Sequence, residues 1–441
     1  MRKPVVAVVG RPNVGKSTFF NYIAGKRISI VEDTPGVTRD RIYTDVDWRG
    51  TEFTLVDTGG IEPKTDDAIL KHMKIQAEMA IDLADVIIFL VDMKDGITAN
   101  DEDVAIMLRK SRKPIVVAVN KVDRVGDPPP EIYDFYNLAM GEIFPVSSLH
   151  GLGMGELLDE CYQYFPQYTN EEEDEEEIKV AIIGKPNAGK SSLLNALAGE
   201  KRVIVSDIAG TTRDAIDTPI EKYGQKFVFI DTAGIRRKNK IDDDIEKYSV
   251  MRAWGAIERS DVCVLIVDAT EGVTEQDSKI AGYAHNEGKA FVIVVNKWDL
   301  VEKETNTMRD FTNEVHNQLP FMLYAPVLFI SAKTGQRVEK LYEYIVNVSN
   351  NASFRIQTGV LNDLLNEAVA MVQPPSDKGK RLKVFYMTQV GIKPPTFVLF
   401  INDKELMHYS YERYIENQLR KAFGFEGTPI RFILREKNKE T

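Results

Sequence analysis

One nine-residue stretch constrains this chain more than any other, because it is written twice. GRPNVGKST occupies residues 10–18 and GKPNAGKSS occupies residues 184–192, an offset of 174 positions. Both fit G-x-x-x-x-G-K-[ST], a loop that cradles phosphate. An apolar run precedes each copy (VVAVV, residues 5–9; VAII, residues 180–183) and reads as a strand. FFNYIAG and LLNALAG follow, and read as the helix onto which such a loop opens. Glycines let the backbone approach an anion, successive N–H groups and the helix N-terminus hold it, and the lysine adds a point charge. Gly10, Arg11, Pro12, Asn13, Val14, Gly15, Lys16, Ser17 and Thr18 are therefore the first candidate phosphate site. Gly184, Lys185, Pro186, Asn187, Ala188, Gly189, Lys190, Ser191 and Ser192 are the second.

With 441 residues the chain has room for about three domains, each with its own core. Its two cysteines, Cys161 and Cys263, are too few for a disulfide framework. Both lie in apolar stretches and read as reduced core residues of a cytosolic protein. No apolar run approaches the roughly 18 residues of a membrane span. MRKPVVAVVG at the N-terminus ends in the phosphate loop, so it reads as a strand and not as a signal peptide.

The net charge of −11 is uneven along the chain. Residues 169–177 contain seven acids and no base, a self-repelling, solvated run that reads as a linker. Residues 352–441 hold 14 basic and 10 acidic side chains, the only basic part. The expected layout is one nucleotide domain at 1–168, the acidic linker at 169–177, a second nucleotide domain at 178–351 and a small domain at 352–441.

Within the first repeat, strands are expected at 5–9, 53–57, 86–92, 115–120 and 143–147, with helical patterns between them such as residues 67–84. Alternation of strand and helix predicts an α/β fold, a mostly parallel sheet covered on both faces. Ligands of such sheets bind beyond the carboxyl ends of the strands. The remaining motifs fall there. Asp57-Thr58-Gly59-Gly60 follows the strand FTLV; the aspartate suits Mg²⁺ alongside Ser17, and Gly60 offers a backbone N–H to a γ-phosphate. Thr38, in the polar loop EDTPGVTRD, offers a hydroxyl to the same metal. Asn120-Lys121-Val122-Asp123 follows IVVAV. The carboxylate of Asp123 matches the N1–H and N2–H₂ donors of guanine, whereas adenine would leave it unpaired. The stem of Lys121 suits packing against the base. Ser147-Ser148-Leu149 is placed to give a backbone N–H to guanine O6.

The second repeat redraws this map with Thr212, Asp231-Thr232-Ala233-Gly234, Asn296-Lys297-Trp298-Asp299 and Ser331-Ala332-Lys333. Lys16, Thr38 and Gly60, and Lys190, Thr212 and Gly234, are the residues expected to act on the transferred phosphoryl group. Ser191, Thr212 and Asp231 form the second magnesium set.

On these motifs each repeat resembles a translation-factor-class GTPase domain. Two in tandem before a small C-terminal domain resemble the EngA/Der family of bacterial ribosome-assembly GTPases. The resemblance implies GTP/GDP and Mg²⁺ as ligands, the large ribosomal subunit and its rRNA as partner, a cytoplasmic location and a monomer. It also implies a KH-like fold for the C-terminal part, whose α-β-β-α-β pattern runs from FRIQTGVLNDLLNEAVAMV to IRFILRE. That part lacks the G-x-x-G loop with which KH modules clamp RNA. Its basic residues, among them Lys378, Lys380, Arg381, Lys383 and Lys393, suit phosphate contacts, while docking against the second GTPase domain is the competing expectation. Ser147-Ser148-Leu149 departs from the usual Ser-Ala-Lys seen at 331–333.

Hydrolysis also departs from the Ras pattern. Ile61 and Ile235 stand where Ras-type enzymes place a water-orienting glutamine, so intrinsic turnover is expected to be slow. In similar GTPases an asparagine at the position of Asn13 and Asn187 coordinates K⁺; the plainer alternative is that these asparagines tie the loop. Arg39 and Arg213 read as structural partners of Asp40 and Asp214 rather than as catalytic groups. IRRKNK, residues 235–240, reads equally as an RNA-touching loop or a solvated one. The competing functional class is a GTP-gated scaffold at membranes or in tRNA modification.

Overall fold

A computed structural model describes residues 3–26, 43–57, 77–78, 80–81, 84–124, 126, 129–166, 177–199, 217–230, 253–377 and 380–436. The chain divides into two compact units, Met1–Glu173 and Asp174–Thr441.

The first unit runs β1 (Val5–Val9), α1 (Lys16–Lys26), β2 (Tyr43–Trp48), β3 (Thr51–Asp57), β4 (Val86–Asp92), α2 (Ala99–Lys110), β5 (Ile115–Asn120), β6 (Ile143–Pro145) and α3 (Met154–Gln163). The sheet order is β2-β3-β1-β4-β5-β6. All neighbours are parallel except β2 and β3. Every residue of β1 and β4 is buried, as unbroken apolar runs covered on both faces require. Phe19, Phe53, Leu55, Leu90 and Leu157 fill one face of this sheet. The order reverses direction at β1, so the loop after β1 opens at a topological switch point. The antiparallel edge strand β2 is absent from the sequence expectation. YTDVDW is half polar, and the turn into β3 is a two-residue one at Arg49-Gly50, both with positive φ.

The second unit repeats the plan with β7 (Glu177–Ile183), α4 (Lys190–Ala198), β8 (Thr218–Lys222), β9 (Gln225–Ile230), β10 (Val262–Asp268), α5 (Glu275–Asn286), β11 (Ala290–Asn296), α6 (Thr307–Gln318), β12 (Val327–Phe329) and α7 (Lys340–Ser353). Its sheet order is β8-β9-β7-β10-β11-β12, the same topology with β8 as the antiparallel edge. Cys161 and Cys263 are fully buried in their respective units, which pushes their thiols up to about 12 and about 11. No helix among the described residues is long and apolar enough to cross a membrane.

The same unit continues through α8 (Thr358–Met371), the two-residue strands β13 (Ser376–Asp377) and β14 (Lys380–Arg381), then β15 (Val384–Gly391), β16 (Thr396–Ile401), α9 (Tyr409–Phe423) and β17 (Arg431–Glu436). Strands β15, β16 and β17 form a sheet whose Met387, Phe397 and Leu399 pack with Leu365 of α8 and Ile415 of α9. This is the expected α-β-β-α-β order, with the small β13–β14 ladder added in the loop.

The C-terminal part docks on the second nucleotide fold through backbone as well as side chains. Gly427 accepts from the N–H of Phe291 (2.6 Å) and donates to Tyr324 O (2.7 Å). Lys393 N donates to Ala352 O (2.9 Å), and Arg431 reaches the carbonyl of Asn286 at the end of α5. Arg420 stands over the ring of Tyr324, whose hydroxyl lies 2.9 Å from His285 Nδ1. Burial and the two arginines hold His285 well below the usual imidazole range, at about 4. Docking of the C-terminal part on its own nucleotide fold is thus a feature of the second unit.

Candidate functional site

In each unit the phosphate-loop lysine folds back over its own loop. Lys16 Nζ donates to Gly10 O (2.6 Å) and Arg11 O (2.8 Å), and Lys190 Nζ to Gly184 O (2.6 Å) and Lys185 O (2.7 Å). Two carbonyls on one ammonium fix the loop's curvature and leave the third N–H direction to an anion. Burial pulls both lysines down to about 8; Asp57 near Lys16 and Asp277 near Lys190 work against that fall. The loop conformation is common to both units. Asn13 and Asn187 each have φ 65°, and Gly15 and Gly189 have φ 97° and 104°.

A buried asparagine then ties the phosphate loop to the loops beyond it. Asn120 Nδ2 donates to Val14 O (2.7 Å), while its Oδ1 accepts from Ser148 N (2.9 Å) and Ser148 Oγ (2.8 Å). Asn296 Nδ2 donates to Ala188 O (2.9 Å), and its Oδ1 accepts from Ala332 N (2.9 Å). Three motifs far apart in sequence thus meet on one carboxamide, twice. Close packing here needs glycine: a Cβ on Gly15 would stand 2.5 Å from Asn120 Nδ2, and one on Gly189 2.2 Å from Asn296 Nδ2.

The aspartates of the two N-K-x-D loops face outward. Ser147 Oγ donates to Asp123 Oδ1 (2.7 Å), and Lys94 Nζ lies 3.3 Å from Oδ2. The bond from Ser147 holds the Asp123 carboxyl below the usual range, and Ser331 does the same for Asp299. Both are therefore ionised, acceptor-only groups at neutral pH, suited to a ligand edge that presents paired N–H donors.

Of the expected magnesium ligands, Ser17 and Ser191 sit on the first turns of α1 and α4, and Asp57 ends β3 as a buried carboxylate. Thr38, Thr58, Gly59, Gly60, Thr212, Asp231, Thr232, Ala233 and Gly234 lie outside the described residues, as do Ile61, Ile235, Arg39, Arg213, Lys378 and residues 235–240. Pro12, Thr18, Pro186 and Ser192 complete the two loops, and the side chains of Leu149 and Lys333 are exposed.

A set of acidic residues behind the loops is missing from the sequence reading. Arg11 lies 2.6 Å from Asp95, 3.6 Å from Asp101 and 3.9 Å from Asp92. Lys185, its counterpart, pairs with Glu271, and its N–H donates to Asp277 Oδ1 (3.3 Å). Asp101 and Asp277 also close the capping boxes of α2 and α5 with Thr98 and Thr274. A signal was present: VDMKDG at 91–96 recurs as VDATEG at 267–272, at the same offset as the N-K-x-D motif.

A protein-family model described as 50S ribosome-binding GTPase matches residues 5–121 and 179–297. Another, described as the C-terminal KH-domain-like region of EngA bacterial GTPase enzymes, matches residues 355–435. The chain is 70% identical over 440 residues to GTPase Der of Ruminiclostridium cellulolyticum and 69% identical over 440 residues to GTPase Der of Acetivibrio thermocellus, covering 100% of each chain in both cases. Among solved structures, Era in complex with MgGDPNP and a segment of 16S ribosomal RNA matches with a TM-score of 0.32 and 24% identity, over 59% of this chain and 93% of that one.

Proposed function

The chain belongs to the EngA/Der family of GTPases, and from that membership we propose that it is a two-site GTP-hydrolysing switch acting in assembly of the large ribosomal subunit. Guanine nucleotide binding and GTP hydrolysis come with the family. The observation that carries the two-site reading is the doubled brace: Asn120 and Asn296 each join a phosphate loop to a base-reading loop in the same geometry. The domains are read as 1–168, 169–177, 178–351 and 352–441.

In site 1 the phosphates lie on residues 10–18 with Gly60, and guanine lies between the stem of Lys121 and the carboxylate of Asp123. A backbone N–H of Ser147-Ser148-Leu149 is assigned to guanine O6; that of Ser148 donates to Asn120 and that of Ser147 to Leu152 O. Ser331-Ala332-Lys333 has the same place in site 2, where Ala332 N–H donates to Asn296 and Ser331 N–H to Gln336 O. Magnesium is assigned to Ser17, Thr38 and Asp57, and to Ser191, Thr212 and Asp231. The hydroxyl and carboxylate oxygens are the hard donors this ion takes. When bound, it offsets charge on the terminal phosphates.

Asn13 and Asn187 are assigned to K⁺; their identical left-handed conformation at the exposed crest of each loop supports a shared role. A monovalent cation there supplies charge that a third-party arginine supplies in other GTPases. Turnover is expected to be faster in K⁺ than in Na⁺, and equal rates would remove the assignment.

The partner is read as the large subunit and its rRNA, approached by a cytoplasmic monomer. The basic C-terminal part and the 50S-binding description of the matching family support it. Co-sedimentation with purified ribosomal subunits tests this. Binding to the large subunit that requires a non-hydrolysable GTP analogue, and that Asp123→Asn or Asp299→Asn weakens, is the expected result. Absence of binding in every nucleotide state would refute the ribosomal role and leave the GTPase chemistry standing.

A further inference from the structure

A buried carboxylate ends β4, and its twin ends β10; neither belongs to a nucleotide motif. Asp92 pairs in register with Asn120 and Asp268 with Asn296, so each stands one strand from its base loop, at the same level. Both side chains are 1% exposed. An ionised carboxylate so far from water is costly unless paired. Each faces the lysine of the neighbouring N-K-x-D loop: Lys121 Nζ meets Asp92 Oδ2, which Arg11 also approaches to 3.9 Å, and Lys297 Nζ donates to Asp268 Oδ2.

The rest of each carboxylate is anchored locally. Asp92 Oδ1 accepts from Lys94 N (2.9 Å); Asp268 Oδ1 accepts from Thr270 N (2.9 Å) and Thr270 Oγ1 (2.7 Å). The lysines turn back toward these anchors on left-handed backbone, φ 68° for Lys121 and 63° for Lys297, a region that side-chain-bearing residues seldom occupy. The same turn occurs in both repeats and ends on the same buried acid, which makes the contact part of the shared fold.

We propose that Asp92 and Asp268 are positioning residues for nucleotide affinity: each holds its lysine so that the four-carbon stem is already laid along the wall on which the purine packs. The inference rests on the reading of Lys121 and Lys297 as base-packing residues given above. An unclamped lysine would have to be ordered on binding, at a cost in rotamer entropy; the clamp removes that cost from the binding step. The stem touches a ring face that guanine shares with hypoxanthine, so the clamp acts on affinity. Base choice stays with Asp123 and Asp299.

The test uses the full chain carrying Asp299→Asn, so that fluorescent GDP reports site 1. Dissociation constants for GDP and IDP are measured for this parent, Asp92→Asn, Lys121→Met and the double variant. Each single change is expected to weaken both nucleotides about tenfold, with the GDP:IDP ratio unchanged. The double variant is expected to bind no more weakly than Lys121→Met, because the lysine is the nearer of the acid's two cations, Arg11 standing 3.9 Å away and paired with Asp95. A merely structural acid would lower the unfolding midpoint without this coupling. Additive losses near a hundredfold, an altered GDP:IDP ratio, or Asp92→Asn within twofold of the parent would overturn the proposal. Adding Asp123→Asn separates the two levels. Undiminished GDP binding there overturns the base-site reading and the proposal together, whereas lost binding with additive single effects overturns the positioning role alone. If Asp92→Asn does not fold, Asp268→Asn and Lys297→Met decide the matter on an Asp123→Asn chain.

Discussion

Removing the carboxamide of Asn120 is the sharpest perturbation of the site's frame. The side chain is 2% exposed and makes three hydrogen bonds, one to Val14 O and two from Ser148. Asn120→Ala leaves the carbonyl of fully buried Val14 and the N–H of buried Ser148 without their partner. Stranding a buried polar group costs about 1–3 kcal/mol, so two of them cost roughly 4 kcal/mol, a large part of a domain's stability. The loss falls on the contact between phosphate loop and base loop, so it must appear in binding as well as in stability. Urea unfolding with a tryptophan probe, read beside fluorescent GDP binding on a chain carrying Asp299→Asn, measures both. The first unit is expected to unfold at markedly lower urea while the second unit's transition stays in place, and site 1 is expected to lose GDP binding by a hundredfold or more. GDP affinity within twofold of the parent would refute the idea that one carboxamide braces the two loops. Asn296→Ala is the matching change in site 2.

Further outcomes follow from single groups. Burial pulls Lys16 and Lys190 down to about 8, and phosphate oxygens bound there are expected to raise them. At pH 8.5 about three-quarters of each lysine is neutral beforehand, so GDP binding must take up protons there and almost none at pH 6.5. Calorimetry in buffers of different ionisation enthalpy reads this directly, and buffer-independent heats at pH 8.5 would contradict it. Gly15→Ala, with φ 97° and a Cβ driven onto Asn120 Nδ2, is expected to abolish GDP binding at site 1 in the same fluorescence assay, and Gly189→Ala at site 2. His285 has its pKa lowered to about 4 by burial, so the unfolded chain takes a proton first as pH falls. Its contribution is present above pH 6.5 and is lost progressively toward pH 4, by roughly 3 kcal/mol. Thermal melting of the second unit should show that loss, and His285→Gln should flatten it.

The long apolar strands were legible from sequence because a parallel sheet covered on both faces leaves continuous apolar runs, as in Val86–Asp92 and Val262–Asp268. The two phosphate-loop turns were legible because glycine and lysine at fixed spacing between a strand and a helix make one local structure, which both copies adopt. Edge strand β2 was not, since Tyr43–Trp48 is half polar, breaks alternation at Thr44-Asp45 and carries no continuous apolar run. The cross-links were not legible either. That Asn120 would bind Val14 and Ser148, or that Asp92 would receive Lys121, depends on strand order and register, which spacing along the chain does not encode. The docking of Gly427 between Phe291 and Tyr324 has the same origin.

The most direct measurement is the stoichiometry of tight GDP binding to the full chain. Two equivalents are predicted for the unaltered protein, one for Asp123→Asn or Asp299→Asn, and none for the double variant, with xanthine nucleotide restoring each lost site. A single equivalent in the unaltered chain, or two surviving in either aspartate variant, would contradict two independent guanine sites.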